Sequence, residues 1–486
     1  MQDILVIFTS LSRMMSRRFG IWFLCLMGPV LCTAQEPPWT LQRCIDRVLE
    51  ENMQIRQAEL NNRSASNNLL QAKAELLPTI NGNASQSYSF GRTVDPFTNQ
   101  FITDRVRSNS FSLSSSVTLF NGLQMINSVK KSRYNYLAGL ADTRKTRNDM
   151  TIAVINAYLQ VLFADELVNT SIDQRKLTER QLERTKYMVE AGALAKGNQL
   201  DLEAQLATDQ LQEVNAINQK DIAYLNLAQL MELESVGDFS IERPALEVTA
   251  SQPVLEGPEN LYQKALNTQP EVEAAEYRVL SATKDLAIAR GAQSPSLVMR
   301  ASYGSGYSGA RQSLTDLSIT GVDTIGYTAG GVEVLAPSYK ATYETTPFND
   351  QLDQNVNKAI GFYLTIPIFN GLRTRTAISG AKIALENAQL NQEAAQRQLL
   401  KEIQQAVADA KAAFNKYHAS MKSTDAMEES FRYTDLRAEQ GLVDAVTYID
   451  AKNRLDKSRS DLLQAKYDYF FKLKILDYYA GNPLTF

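Results

Sequence analysis

Cysteine and histidine are scarce in this 486-residue chain, which contains three cysteines and one histidine. Three cysteines cannot build a disulfide-stapled scaffold, and one histidine beside scattered cysteines argues against a structural zinc site. The net charge of −4, from 50 basic and 54 acidic residues, argues against a nucleic-acid binder. The mean hydropathy of −0.27 excludes a polytopic helical membrane protein but remains compatible with a membrane β-barrel.

The first 34 residues have the layout of a secretory signal peptide. Arginines precede an apolar stretch over 19–31, and small residues at 32–34 allow cleavage before Gln35. Lipidation of Cys32 is an alternative to simple cleavage. Cleavage removes three basic residues and one acidic residue, which leaves 47 basic and 53 acidic residues and a net charge of −6. Cys44 is then the one remaining cysteine. We expect no transmembrane helix in the rest of the chain, because no other apolar run approaches the required length of about 20 residues.

The rest of the chain contains an internal duplication. The segment Phe-Asn-Gly-Leu at 120–123 recurs at 369–372, an offset of 249 that Gly192 and Gly441 share. Upstream, Pro78 and Pro295 are 217 apart, so the second copy carries an insertion of 32 residues, within 304–355. We therefore predict a first repeat over 35–235, a linker over 236–258, a second repeat over 259–480 and a tail over 481–486.

Long stretches without proline predict long helices. No proline occurs between Pro96 and Pro244 or between Pro367 and Pro483, and proline inside a helix costs about 3 kcal/mol. We expect two helices of roughly 100 Å each, followed in each repeat by a returning helix. Shorter helices are expected over about 41–77 and 259–292. The predicted long helices span 123–190 and 372–439, and the returning helices 198–234 and 445–480.

A period of two replaces the helical period in four segments, at about 79–90, 108–120, 296–307 and 358–369. Apolar side chains alternate there with small polar ones, which suits strands that face lipid on one side and a wet lumen on the other. A small soluble sheet is the alternative. Four strands cannot close a membrane barrel, because open sheet edges are not tolerated in lipid. Two chains supply eight strands with a filled interior, whereas three supply twelve and leave room for a pore.

These features resemble the TolC-like outer-membrane efflux proteins. The resemblance rests on the duplication, the helix-to-strand breaks at Leu77-Pro78 and Ser294-Pro295, the repeated Phe-Asn-Gly junction and the glycine-bearing helical turns. It implies a mainly α homotrimer in which long antiparallel helical hairpins form a periplasmic α-barrel. Four strands per chain would join a shared 12-stranded transmembrane β-barrel in outer-membrane lipid. It also implies docking to a periplasmic adaptor protein and, through it, to an inner-membrane transporter.

The resemblance assigns roles to the two helical turns, which would form the closed periplasmic tip and meet the adaptor. Glycine suits the left-handed position just after a helix, where a side chain would clash. Apolar neighbours would supply further contact with the adaptor. The predicted contact residues are Gly192, Ala193, Leu194, Gly441, Leu442 and Val443.

Asp201 and Asp450 lie nine residues beyond these glycines and would form rings of three carboxylates in a trimer. Rings of carboxylates at a constriction favour the passage of cations. Well-known relatives carry two acidic residues, three apart, at the second turn, and Thr447 occupies one of those two places here. The alternative is that both aspartates are solvated helix residues.

The junctions between strands and helices have structural roles in this interpretation. Glycine permits the bend, and asparagine can cap the following helix. The predicted junction residues are Pro78, Phe120, Asn121, Gly122, Pro295, Phe369, Asn370 and Gly371. Loops 91–107 and 304–355 should face the outside, and the longer one could plug the mouth, shield it or bind a partner.

The predicted function is a passive exit duct for efflux or type I secretion, in the outer membrane with a periplasmic extension. We expect no catalytic, cofactor or metal site, since neither a phosphate loop nor an acid/base constellation is recognisable. A secreted structural coiled-coil protein without a pore is the alternative, and a secreted hydrolase is disfavoured because no nucleophile elbow occurs.

Overall fold

A computed structural model describes residues 38–94, 99, 101–102, 105–233, 239–244 and 257–482. The predicted signal peptide with Cys32, most of the predicted linker and the end of the predicted tail lie outside the described residues. Within them the chain is mainly helical, as predicted. The helices are α1 (Leu41–Glu51), α2 (Met53–Ala74), α3 (Gln124–Glu190), α4 (Lys196–Leu230), α5 (Pro258–Thr268), α6 (Pro270–Gly291), α7 (Phe348–Gln354), α8 (Arg373–Glu439) and α9 (Ala445–Ala480).

The strands form one antiparallel sheet of four and two separate two-stranded hairpins. The sheet order is β1-β4-β5-β8, and the hairpins are β2–β3 and β6–β7. The strands are β1 (Thr79–Ser89), β2 (Thr93–Val94), β3 (Phe101–Ile102), β4 (Val106–Phe120), β5 (Ser296–Ser308), β6 (Gln312–Tyr327), β7 (Glu333–Thr345) and β8 (Asn357–Thr365). The last strand stops short of the predicted residue 369, because Pro367 has no N–H to donate to a ladder.

The two longest helices of the described chain, α3 and α8, have 67 residues each and are about 100 Å long. The first part of α3 packs on α2 and α6, and its second part packs on α4. The first part of α8 packs on α6, and its second part packs on α9. Ion pairs join the same elements. Arg147 of α3 pairs with Glu59 of α2 at 2.5 Å, and Lys472 of α9 pairs with Asp409 of α8 at 2.9 Å.

The short helices predicted over 41–77 and 259–292 are each broken in two, at Asn52 and Gln269. Both break residues have extended backbone, and Pro270 disfavours helix at Gln269. Asn52 caps α2 and donates from Nδ2 to the carbonyl of Leu230 at 3.2 Å, where α4 ends. Gln269 donates from Nε2 to the carbonyl of Tyr478 at 3.5 Å, near the end of α9. Each half therefore breaks its short helix where the returning helix meets it.

The apolar core lies at mid-height, beside these breaks. In the first half it joins α1, the middle of α3 and the end of α4, with Tyr158 and Leu227 fully buried. In the second half it joins α5 and the start of α6 to Leu399 and Ile403 of α8. One 18-residue window of α3 is apolar enough to cross a membrane by length and composition, contrary to the prediction that no such run exists. Half of that window is buried inside the chain.

The strand-to-helix junctions turn through two consecutive left-handed residues. Gly122 and Leu123 have φ of 67° and 62°, and Gly371 and Leu372 both have φ of 63°. Asn121 accepts a bond from the Met125 N–H at 3.4 Å, although Leu123 occupies the cap position. Pro78 and Pro295 each stand one residue before a strand, β1 and β5.

The two junction glycines differ in their surroundings. A Cβ at Gly122 would lie 2.3 Å from the carbonyl oxygen of Gly291 and 2.7 Å from Cβ of Ser294, so backbone would have to move. A Cβ at Gly371 meets nothing within 4 Å in the described chain. The first junction is therefore closed by contact with the end of α6.

We predict that Gly122→Ala destabilises the protein more than Gly371→Ala does. Both substitutions place alanine in the left-handed region at a cost of about 1–2 kcal/mol, and Gly122→Ala adds overpacking of about 1–3 kcal/mol. Thermal loss of helical circular dichroism measures the difference. Equal shifts of the two variants would contradict the close approach at Gly122.

Candidate functional site: the two-faced sheet and the helical tip

The register of the four-stranded sheet separates its side chains into two chemically different faces. Asn81, Ser114, Ser302 and Ala359 are successive neighbours on one face. Five serines of β4 share that face, which we call the serine face, at positions 108, 110, 112, 114 and 116. The opposite face, called the apolar sheet face, carries Ile80, Phe111, Leu113, Val117, Met299, Ile360, Phe362 and Leu364.

Aromatic and basic side chains occur together on the apolar sheet face, in the half of the sheet that lies far from the helices. The Nζ of Lys358 lies 5.5 Å from the ring centre of Tyr303, and the guanidinium of Arg107 lies 5.6 Å from that of Tyr307. Such rings with polar tips are typical of the interface between lipid and water. Phe348 of α7 also covers this face, with its ring centre 5.2 Å from Tyr307.

Both edges of the sheet are open within the described chain. β1 pairs on one side with β4, and β8 pairs on one side with β5. Beyond β8, Ile368 and Phe369 expose 95% and 81% of their surfaces, compared with 44% for Phe120 in the first half. The second junction therefore lies beside an open edge, whereas the first lies inside the sheet.

The two helical turns at the opposite end of the molecule have the same hydrogen-bonded geometry. In the first, the N–H of Ala193 donates to the carbonyl of Met188 at 2.9 Å across Gly192, whose φ is 74°. The second repeats this pattern at Gly441, with φ of 75°, and Leu442. The N–H of Gly192 also donates to the carbonyl of Val189 at 3.0 Å. This pair of hydrogen bonds at the end of a helix requires a residue with positive φ, which favours glycine. Ala193 and Leu442 are exposed, and Leu194 and Val443 are half-buried.

The predicted gate residues lie in the first turns after these loops. The backbone N–H of Thr447 donates to Oδ1 of Asp444 at 3.0 Å, and its hydrogen bonds lower the pKa of the Asp444 carboxyl. Asp450 is exposed and pairs with Arg454 one turn later at 2.7 Å. Asp201 is exposed on α4. In one chain both aspartates are thus surface helix residues, and a ring requires further copies.

A buried polar cluster above the tip was not predicted from the sequence. Nζ of Lys452 is fully buried and lies 2.9 Å from Oδ2 of Asp209 and 2.8 Å from Oδ2 of Asp456. Asp209 also accepts from the hydroxyl of Thr178 on α3 at 2.5 Å and from Nε2 of Gln205 at 2.7 Å. Burial raises the pKa of Asp456, and Lys452 beside it acts in the opposite direction.

This cluster joins the α3–α4 hairpin to α9. A second tie lies nearer the tip, where the guanidinium of Arg184 on α3 donates to the carbonyl of Glu439 at the end of α8. The sequence contains one signal for the cluster. Lys452 lies four residues after Tyr448 and three before Leu455, so it lies on the apolar face of the helix. A charge at such a position implies a buried partner.

The family model for "Outer membrane efflux protein" matches residues 44–232 and 261–482. The chain belongs to the outer membrane efflux protein family. This confirms the resemblance inferred from the sequence. Members of this family lie in the outer membrane and extend into the periplasm, and this efflux protein has the same location and topology.

This efflux protein is similar to three known proteins over most of its length. Outer membrane protein TolC of Escherichia coli K12 is 23% identical over 428 residues, 86% of this chain and 77% of the relative. Cation efflux system protein CusC of Escherichia coli O157:H7 is 23% identical over 427 residues, 87% and 82% of the two chains. Alkaline protease secretion protein AprF of Pseudomonas aeruginosa is 21% identical over 340 residues, 70% and 62% of the two chains. A crystal structure of CusC superposes with a TM-score of 0.74 at 16% identity, covering 91% of this chain and 92% of that one, which shows the shared fold.

We predict that Lys452→Met destabilises the efflux protein by about 3–5 kcal/mol, because it leaves two buried carboxylates without a cation. The loss should shrink as the pH falls from neutral towards about 4. A carboxyl group with a raised pKa in the folded state binds its proton more tightly there, so acid favours folding. Thermal unfolding at several pH values measures both effects.

Lys472→Met is the matched control, since Lys472 pairs with Asp409 in a partly exposed position on the same helix. Such a pair contributes about 1 kcal/mol or less. If the two variants lose equal stability, the buried cluster does not hold the hairpins together.

Proposed function

We propose that three copies of this efflux protein assemble into a continuous duct across the outer membrane and periplasm. The single observation that carries this proposal is a sheet with one apolar face, one serine face and two open edges. Unpaired backbone groups in lipid cost several kcal/mol each, so both edges need partners. Pairing β8 of one copy with β1 of the next closes a 12-stranded barrel around a lumen lined by the serine face.

The same threefold arrangement would place the long helical hairpins in a periplasmic α-barrel. Two halves with equivalent breaks, at Asn52 and Gln269, support the internal duplication, since these positions are 217 apart like Pro78 and Pro295. Duplication doubles the number of helical hairpins that each copy contributes to the wall. The duct is passive and not an enzyme, and its energy source lies in another protein.

The partners are a periplasmic adaptor protein and, through it, an inner-membrane transporter. The two glycine-bearing turns, 191–194 and 440–443, offer the adaptor exposed backbone and apolar side chains at the tip. Adaptor binding would open the tip through a higher affinity for the open state. The names of CusC and AprF refer to cation efflux and protease secretion, so the family supports either an efflux or a type I secretion system.

We predict opposite outcomes for arginine at two adjacent residues in the middle of β4. Leu113→Arg places a charge on the lipid side, at a cost of about 2–4 kcal/mol near the bilayer midplane, and should deplete the folded protein from the outer membrane. Ser112→Arg should assemble and shift the ion selectivity of the pore towards anions. Membrane fractionation, trimer mobility on gels without heating and single-channel recording measure these outcomes. Equal effects would contradict the assignment of lipid and lumen faces.

At the tip, we propose that Asp450 and Asp201 form carboxylate rings beside Thr447. Asp450→Ala should reduce the cation preference of single channels, because three negative charges leave the constriction. Arg454→Ala is the control, since it removes the ion-pair partner and should keep or increase the preference. Unchanged selectivity in Asp450→Ala would mean that this carboxylate does not face the pore.

A further inference from the structure

The insertion that lengthens the second half contains a long, ordered β-hairpin made of β6 and β7. Its base is clamped to the sheet. The N–H of Thr346 donates to the carbonyl of Arg311 at 2.9 Å, which closes the hairpin. The buried side chain of Gln351 accepts from the N–H of Ser308 and donates to the carbonyls of Ser308 and Thr346, at 2.8–2.9 Å. The hairpin therefore starts from a fixed place at the outer end of β5.

Three register irregularities divide β6 at regular intervals. The pairing skips Thr315, Thr320 and Ile325, which are five residues apart. Each extra residue reverses the alternation of side chains, as a β-bulge does. The hydroxyl of Thr315 donates to the carbonyl of Thr342 across the strands at 3.1 Å. Because of these three shifts, apolar residues that follow no strict period in the sequence all reach one side of the hairpin.

We call that side the apolar hairpin face. It consists of Leu314, Leu317, Ile319, Val322, Tyr339 and Tyr343, paired across the strands as Leu314 with Tyr343 and Ile319 with Tyr339. The opposite face carries Ser313, Asp316, Ser318, Lys340, Thr342 and Glu344. The separation of apolar from polar residues is the pattern of a strand pair that packs against another surface.

Nothing within the described chain covers the apolar hairpin face. Each of its six residues exposes half or more of its surface. The face extends over seven positions of β7, from Tyr343 beside Leu314 to Pro337 beside Val322. From strand dimensions it is about 20 Å long and about 10 Å wide, a footprint of roughly 200 Å². Contiguous exposed apolar side chains rimmed by polar residues mark interaction surfaces.

The strand edges of the hairpin are unsuited to pairing with another chain. Irregularities interrupt β6, and β7 contains Pro337, which has no N–H to donate. The occupant must therefore meet the apolar face and not an edge. Residues 312–345 carry four acidic residues and one basic residue, a net charge of −3. This charge opposes binding to an anionic lipid surface, which recruits lysine and arginine.

The position of the hairpin favours a second copy of the chain. It lies between β5 and β8 in sequence, and β8 is the open edge that receives the next copy in the proposed trimer. Three hairpins then stand around one barrel rim. A footprint of roughly 200 Å² is about a quarter of what each partner buries in a standard interface. Tethering to one assembly supplies an effective concentration on the order of millimolar, which makes such a small contact sufficient.

We propose that the apolar hairpin faces of three copies pack against one another on the threefold axis and close the outer mouth of the duct. This inference depends on the trimer proposed above. Equivalent surfaces that all contact one another in a threefold assembly meet on its axis, which is also the axis of the barrel. An apolar constriction there excludes water and ions until the hairpins separate.

Cross-linking of adjacent positions on opposite faces tests the packing in the full-length protein. Leu317→Cys should yield linked dimers with a short bis-maleimide, whereas Ser318→Cys, on the polar face, should yield few. Tyr339→Cys and Lys340→Cys repeat the comparison on β7. Cys44 is fully buried, and burial raises its pKa to about 12, so it stays unreactive.

Trimers that form normally but link equally through both faces, or not at all, would overturn the inference and leave the proposed duct intact. Quenching of a probe at residue 317 by a lipid-soluble reagent would also overturn it, with membrane as the occupant. Absence of any trimer would instead refute the proposed function.

In single channels, the double variant Leu317→Asp/Ile319→Asp should raise conductance several-fold, and Ser318→Asp should not. Unchanged conductance in the double variant would contradict closure of the mouth.

Discussion

Backbone hydrogen bonding at two strand edges is the constraint on which the rest of the molecule depends. Within one copy, β1 and β8 each present a row of peptide groups to the outside, next to a face of lipid-compatible side chains. Water satisfies such groups, but a hydrocarbon layer does not. In the proposed assembly, the requirement for partner copies therefore follows from the position of the sheet in lipid. The long helices, the tip and the outer hairpin acquire their proposed roles from the symmetry that this closure imposes.

Two apolar cores at mid-height position everything else along the axis. Each forms where a broken short helix meets the end of a returning helix, and a buried side-chain amide, from Asn52 or Gln269, bridges the meeting point. Above the cores the helices lead into strands, and below them they form antiparallel hairpins. Below the cores, polar contacts replace part of the apolar packing, as in the Lys452 cluster. A buried ion pair is strongly destabilised when one partner is lost, which makes it a specific tie between hairpins.

In the proposed duct, the two ends would be narrowed by side chains of different chemistry. At the helical turns, glycines and exposed carboxylates lie near the helix ends, and in the proposed trimer these carboxylates would repel one another. At the outer mouth, the β6–β7 hairpin carries apolar side chains on one face, and its charges lie chiefly on the other. Charged constrictions select ions, whereas apolar ones exclude water altogether. A duct with both could be opened independently at each end by partners that bind different surfaces.

The sequence alone determined the features that depend on local chemistry. The absence of proline predicted α3 and α8 almost to the residue, the glycines predicted the two tip turns, and alternation predicted the four strands of the sheet. Tertiary structure decided the rest. Pro270 marks the break at Gln269 locally, but the bonds that bridge the breaks run from Asn52 and Gln269 to carbonyls 178 and 209 residues away, and Lys452 is buried by a partner on α4. Within 304–355, irregularities at residues 315, 320 and 325 conceal the period of two, so the hairpin becomes visible only when its strands are paired. Local rules describe a residue and its neighbours along the chain, whereas burial and register depend on which distant segment packs beside it.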